Sequence, residues 1–237
     1  MSLAVLAHVA VGSVALALYW TVLLARKGSR LHRRAGKVCL GLLVLTGLSV
    51  GPLLLLRAGP FDPGYVVQMT YLTACLATVS KLALDAIRFK TQAEQFRGRL
   101  FRTSGPVLLV LGLVVLTAGL LERDPVAVVL SWVGVVYGIA MITFARYRGP
   151  LHPRWWMSWH LNAVTGLFNA VNGTFLYVAA RWAGIVSEGP GAQVSFQLLT
   201  IAGAVVLRLW FGLKFRAPLR FSAATAMRRG AAGAPQV

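Results

Sequence analysis

Seven apolar segments, each long enough to cross a bilayer, take up most of this chain. Of all residues 57% are hydrophobic and 13% are charged, whereas a soluble domain carries roughly 25% charged residues. Apolar runs near 20 residues match the hydrocarbon thickness of a membrane. Because the runs are continuous rather than alternating, they are typical of helices. The sequence therefore predicts an all-α, polytopic integral membrane protein with seven transmembrane helices.

The predicted helices span residues 3–25, 38–56, 65–87, 105–121, 126–145, 156–180 and 194–213. Residues 1–220 are predicted to form a single seven-helix transmembrane domain. Residues 221–237 carry two cations, Arg228 and Arg229, and are rich in Ala, Gly and Pro after them, which predicts a basic cytoplasmic tail without fixed structure.

Positive charge is concentrated in every second loop. The chain has 24 Lys and Arg against 6 Asp and Glu, a net charge of +18. Of these cations, 19 lie in loops 26–37, 88–102 and 146–154 or follow residue 213, and only 3 lie on the other side. Cytoplasmic loops carry this excess and meet anionic headgroups. We therefore expect the N-terminus outside, the C-terminus in the cytoplasm, and a bacterial cytoplasmic membrane as the location. Nucleic acid is not an expected partner, because the cations sit at helix ends.

Two further patterns describe the arrangement of the helices. Trp155, Trp156 and Trp159 cluster at one boundary, which predicts an interfacial aromatic belt. Residues 31–34 (LHRR) and 46–48 (TGL) are matched by residues 151–154 (LHPR) and 165–167 (TGL) at nearly the same offset. This similarity predicts parallel three-helix repeats on either side of the fourth helix, a 3+1+3 arrangement that some transporters share. Basic helix ends can also resemble one another by chance.

Polar residues inside apolar helices are costly, so each requires a partner or a function. At 100° per residue, four polar side chains of the sixth helix fall within a stripe of about 80°: Asn162, Thr165, Asn169 and Asn172. The stripe has two interpretations. It forms interhelical hydrogen bonds beside small residues, or it lines a cavity that holds a ligand or water.

The third and seventh helices carry charge at membrane depth. Lys81 and Asp85 have the i,i+4 spacing of an ion pair, and Thr73 lies on a similar stripe. Arg208 lies inside the seventh helix. One interpretation is a structural pair within the bundle. The other is a cytoplasmic-side anion or proton site built from Lys81, Asp85 and Arg208.

Histidines are the candidate cofactor ligands. His8 lies near the outer end of the first helix and His160 near the inner end of the sixth, so the two cannot ligate one haem. We expect both to form hydrogen bonds within the bundle, although each remains a candidate for binding a cofactor of unknown identity. No carboxylate or thiolate is spaced to complete a metal site with them, and none is predicted.

The run Leu31 to Lys37, with Thr46-Gly47-Leu48 following it, resembles a family of bacterial predicted membrane proteins of unknown function. Members have a His in the first helix, an LHR-x-x-G run, a Trp/His start to a late helix, and a characteristic last helix. Here these points fall at His8, residues 31–36, residues 156–160 and residues 207–210. The family often has an aromatic residue where Cys39 stands. The resemblance implies a seven-helix membrane fold with no established reaction, and it favours His8, His32, His160 and Arg208 as functional candidates.

These patterns favour a non-enzymatic function. The leading hypothesis is a multi-pass membrane protein whose third, sixth and seventh helices line a polar cavity that binds or transports a small molecule or proton. The first alternative is an accessory or assembly subunit with a membrane-protein partner. The second is a redox protein that binds haem or a quinone.

Overall fold

The computed structural model describes residues 2–57 and 59–223. Helices within these residues are α1 (Leu3–Leu24), α2 (Arg30–Leu48), α3 (Val50–Leu55), α4 (Pro63–Arg88), α5 (Ala93–Phe96), α6 (Arg99–Leu121), α7 (Pro125–Arg146), α8 (Trp155–Trp182) and α9 (Pro190–Lys214). Seven spans are long and apolar enough to cross a membrane, with α2 and α3 together forming the second. The all-α, seven-span prediction is confirmed.

The outer surface of the bundle is apolar, as lipid exposure requires. Large side chains such as Leu199 and Val206 on α9 are more than 60% exposed. In water this surface would drive association, but lipid tails solvate it. We call the end where α1, α4, α7 and α9 finish and α2, α6 and α8 begin the basic end, because most of the Lys and Arg residues lie there.

Two helices begin more than five residues earlier than the sequence predicted. Helix α2 starts at Arg30 rather than residue 38, because Ser29 Oγ accepts a 3.1 Å hydrogen bond from the backbone N–H of His32 and caps the helix. Helix α6 starts at Arg99 rather than residue 105. In both cases the first turns are basic, and a sequence pattern does not distinguish a basic helical turn from a basic loop.

The second span is interrupted at Ser49, between α2 and α3. Pro52 has no N–H to donate to the carbonyl of Leu48, and its ring crowds that carbonyl. The chain therefore leaves the helix for one residue and resumes it at Val50.

Helices α6 and α7 approach each other until their backbones touch. A Cβ added at Gly112 would lie 2.9 Å from Val135 N, and one at Gly138 would lie 2.7 Å from Leu109 N. Glycine at these positions allows the close packing by which membrane helices associate. The same interface receives Tyr71 of α4, whose hydroxyl donates to Ser131 O at 2.9 Å and accepts from Gly134 N at 2.8 Å.

Ordered structure continues past the predicted domain boundary at residue 220. Leu151 and Ser222 form an isolated antiparallel β-bridge. The N–H of His152 donates to Phe221 O at 2.8 Å, and the N–H of Ala223 donates to Pro150 O at 3.0 Å. The chain after α9 is thus folded back onto the loop before α8. The remainder of the predicted tail lies outside the described residues.

The predicted tryptophan belt is wrong for two of its three members. Trp155 and Trp159 are buried, at 5% and 4% exposure, and only Trp156 is half-buried. Neighbouring rings have centroids 4.8 to 5.9 Å apart. We call this the aromatic cluster; it consists of Phe96, Phe101, Phe144, Trp155, Trp159 and Phe221.

The two helix triplets of the predicted repeat pack differently. Helix α2 packs against both α1 and α4 in the first triplet, whereas α9 packs against both α7 and α8 in the second. Helix α7 makes its most extensive contacts with α6, which lies outside the triplet. The 3+1+3 repeat therefore stays a prediction.

Candidate functional site

Arg208 is the most buried charged residue of the predicted site, with 8% exposure. Its Nε donates to Asn162 Oδ1. Its Nη2 donates to Pro218 O at 2.8 Å and, more weakly, to Ser158 Oγ at 3.3 Å. No carboxylate forms an ion pair with Arg208 among the described residues. The guanidinium thus donates to neutral acceptors from α8 and from the folded-back segment after α9, while its buried Nη1 has no partner among the described residues.

Asn162 lies at the centre of a wider network near the basic end. Its backbone carbonyl accepts a 2.6 Å hydrogen bond from the hydroxyl of Tyr137 on α7. Two residues further along α8, the carbonyl of Val164 accepts a 2.7 Å hydrogen bond from the hydroxyl of Tyr19 on α1. Thr165 donates to Leu161 O within its own helix at 2.7 Å. Side chains from three other helices, α7, α1 and α9, thus hydrogen-bond to this short segment of α8.

The remaining stripe residues, Asn169 and Asn172, are buried and bridge helices. Asn169 Oδ1 accepts a 2.7 Å hydrogen bond from Thr200 Oγ1 of α9. Asn172 Oδ1 accepts a 3.0 Å hydrogen bond from Trp20 Nε1 of α1. These bonds are the interhelical interactions of the first interpretation, and ligand contact by the stripe stays a prediction.

Lys81 and Asp85 form the predicted ion pair on α4, with Nζ and Oδ2 2.5 Å apart. The Asp85 side chain is 16% exposed and that of Lys81 is 47% exposed. Lys81 lies seven residues before Arg88, which places its Cα about 10 Å inside the end of the helix. Lys81 therefore places a cation within the candidate span of α4, and Asp85 lies nearer its end, about 4.5 Å before Arg88.

A partly open cavity of about 260 Å³ lies beside this ion pair. We call it the α4–α6 groove. Its polar lining is the Lys81–Asp85 pair with the hydroxyls of Thr78 and Ser104, and its other walls are apolar. The lining residues are Ala77, Thr78, Lys81, Leu82, Asp85, Leu100, Phe101, Ser104 and Met141.

The predicted site residues do not form one constellation. Lys81 and Asp85 line the groove toward α6, whereas Arg208 contacts α8 and the segment after α9. Thr73 donates to Gly47 O of α2 at 3.2 Å and so faces a third direction. Among the described residues, no hydrogen bond or ion pair joins Arg208 to Lys81 or Asp85.

His8 and His160 both form hydrogen bonds within the bundle, as predicted. His160 Nδ1 lies 2.9 Å from the carbonyl of Ala83, so it must carry the proton. His8 Nδ1 lies 2.7 Å from Ser49 Oγ, whose own proton goes to Thr46 O. In both rings Nε2 is then the nitrogen able to bind a haem iron or another metal. In the described parts of the chain, no three His, Cys, Asp or Glu side chains converge to hold a metal ion.

Lys27 extends the positive charge of the basic end into the loop between α1 and α2. Its Nζ donates to the carbonyls of Val22 and Leu23, in the last turn of α1, at 3.0 and 2.6 Å. Burial, and then the charge of Lys214, lowers the pKa of Lys27. Lys27 therefore caps a helix terminus in the way expected of a cation at a C-terminal end.

The sequence interpretation missed Arg97, which it counted as a loop cation. The structure buries this residue to 3% exposure beside the aromatic cluster. Its neighbours in the chain, Phe96 and Phe101, gave an aromatic signal, but their packing partners come from distant parts of the sequence.

Comparisons with protein-family models, with curated proteins and with solved structures find no match. The fold therefore defines the class: a multi-pass, all-α membrane protein with seven spans.

Proposed function

We propose that this protein binds a small molecule within the membrane, in the α4–α6 groove. The observation that carries the proposal is the position of the Lys81–Asp85 ion pair on the wall of that groove. Ionic groups in membrane spans are costly and are retained chiefly where they serve a function. A mostly apolar cavity with a few convergent polar groups is also the usual form of a ligand site.

The size and lining of the groove define the ligand class. Its volume of about 260 Å³ is just below the range typical of drug-sized ligands. It therefore suits a small molecule, or the polar end of a larger amphiphile. The ligand's polar group would contact Lys81, Asp85 and Ser104, and its apolar part would pack against Leu82 and Met141.

The charge distribution supports a location and an orientation. We propose a bacterial cytoplasmic membrane with the basic end facing the cytoplasm, because 19 of the 24 cations lie on that side. The anionic headgroups of that leaflet are then the permanent partners of the basic end.

Filling the groove tests the proposal. Ser104→Phe places a ring in the groove, whereas Ala202→Phe adds the same ring to an exposed site on α9. Native mass spectrometry of each variant, released from its own membranes, should show a small molecule bound to the wild type and to Ala202→Phe. The mass should be absent from Ser104→Phe. Equal retention by both variants, or no bound molecule in the wild type, would contradict the proposal.

A redox function is the second candidate, and the two histidines favour it. His8 and His160 are each fixed through Nδ1 and leave Nε2 for a ligand. In the same spectra a haem mass lost in His8→Ala or His160→Ala, and retained in Ser104→Phe, would favour this function. A bound second polypeptide would favour the accessory-subunit alternative.

A further inference from the structure

Arg97 occupies an unusual position for a cation at the end of a membrane bundle. It lies between α5 and α6, and its side chain is almost entirely enclosed, at 4% exposure. The guanidinium carbon stands 4.4 Å from the centre of the Phe144 ring. Cation–π contact and the surrounding rings of the aromatic cluster hold the guanidinium plane in place.

Only part of this guanidinium has a hydrogen-bond partner. Nη1 forms a 2.9 Å ion pair with Glu94 Oε1. Nε and Nη2 are buried and have no partner among the described residues. A buried charged donor without an acceptor is costly, so native proteins rarely leave one unpaired.

The two unpaired nitrogens form one edge of the planar group. That edge presents two parallel N–H donors, the arrangement that matches two oxygens of a carboxylate or phosphate. Residues 88–102 contain five cations and one carboxylate, Glu94. Arg102 Nη2 also contacts that carboxylate, at 3.4 Å. The local excess of positive charge therefore favours an anion as the missing partner.

We propose that the Nε–Nη2 edge of Arg97 binds a phosphate group. Arg97 lies at the basic end, beyond the last turn of α4 and before the first turn of α6, which is the level of the lipid headgroups. Glu94 contacts Nη1 and leaves the Nε–Nη2 edge unpaired. Because that edge is buried, neighbouring side chains must shift to admit the phosphate. This site is separate from the α4–α6 groove and does not depend on a ligand there.

A matched pair of substitutions tests the site. Arg97→Lys keeps the charge but removes the two-donor edge, and Arg99→Lys makes the same change at an exposed position in the next turn. The full chain in a maltoside detergent would be titrated with phosphatidylglycerol and, separately, with inorganic phosphate. We expect Arg97→Lys to bind about tenfold more weakly, the equivalent of about 1.4 kcal/mol, and Arg99→Lys to match the wild type.

The two titrations distinguish the sources of the phosphate. Arg97-dependent binding of phosphatidylglycerol alone identifies a lipid headgroup site, and Arg97-dependent binding of inorganic phosphate identifies a site for a free anion. Equal affinities of all three proteins for both ligands would overturn the proposal. If Arg97→Lys does not fold, NMR spectroscopy of the ¹⁵N-arginine-labelled wild type takes the place of this variant, with the Nε–H signal of Arg97 as the readout. That signal should shift on addition of one of the two ligands, and no shift with either would overturn the proposal.

Discussion

Asn162 and Arg208 join α8 to α9 through a hydrogen bond from the guanidinium Nε to the amide Oδ1. An amide oxygen thus stands where a carboxylate would neutralise the charge. Neutral oxygens of Asn162, Ser158 and Pro218 accept hydrogen bonds from the arginine in place of a counter-ion. Loss of the Asn162 side chain would therefore leave a donor of Arg208 without its acceptor and destabilise the fold.

Asn162→Ala should lower the free energy of unfolding by about 1.5–3 kcal/mol, because a buried charged donor loses its acceptor. In an Arg208→Met background the same substitution should cost much less. A double-mutant cycle, measured by equilibrium unfolding in mixed micelles, isolates the pair. Strictly additive effects would show that the bond contributes nothing.

Trp20→Phe should lower the free energy of unfolding by about 0.6 kcal/mol, the mean value for interhelical hydrogen bonds in membranes. The substitution removes the indole donor to Asn172 but leaves a ring to pack on Phe168. Trp182→Phe is the control, because that side chain is 82% exposed. The same unfolding assay should show no loss for the control, and equal losses would contradict the role of the Trp20–Asn172 bond.

Gly134→Ala and Gly41→Ala should have opposite effects. A Cβ at Gly134 would lie 2.6 Å from Leu108 O and 2.7 Å from Tyr71 Cε2, where backbone and a buried ring cannot move aside. We expect a loss of about 1–3 kcal/mol. A Cβ at Gly41 meets nothing within 4 Å, so the better helix propensity of Ala should stabilise α2 by up to about 1 kcal/mol. Melting temperatures that fall in both variants would contradict the close α6–α7 contact as the cause.

Lys81→Met should destabilise the protein more than Asp85→Asn. Asp85 is the more buried partner, and without Lys81 its carboxylate would have no cation beside it. Lys81 is half-exposed and can extend toward the headgroups once Asp85 is neutral. We expect a loss of about 1–2 kcal/mol for Lys81→Met and a partial recovery in the double variant. Thermal unfolding in lipid nanodiscs compares the stabilities of the two single variants. A larger loss of stability for Asp85→Asn than for Lys81→Met would contradict this prediction.

The sequence predicted the features that depend on local patterns. Apolar length identified all seven spans, and the i,i+4 spacing of Lys81 and Asp85 predicted their ion pair. Each depends on residues that lie within one helix. Sequence spacing is informative within one helix because helical geometry determines which side chains lie next to one another.

The sequence did not predict which helices meet, and the errors follow from that. Trp155 and Trp159 lie near a helix end, as the residues of an interfacial belt do. The local sequence does not show that they are buried, because their packing partners, among them Phe144 and Phe221, lie elsewhere in the chain. Arg97 resembled a loop cation for the same reason. Lys81 and Arg208 belong to separate sites because their helices face different neighbours. No local pattern records these contacts between distant segments.

The bonds from α1 to α8 also constrain how the protein is made. Tyr19 bonds a carbonyl 145 residues later, and Trp20 bonds an amide 152 residues later. At 5–20 residues per second, a ribosome takes roughly 7 to 30 s to supply those partners. Throughout that interval the first helix lies in the bilayer before the α8 hydrogen-bond partners of its Tyr19 hydroxyl and Trp20 indole N–H have been synthesised. We therefore expect an insertase or neighbouring lipid headgroups to provide temporary hydrogen-bond partners for these two groups until the sixth span enters the membrane.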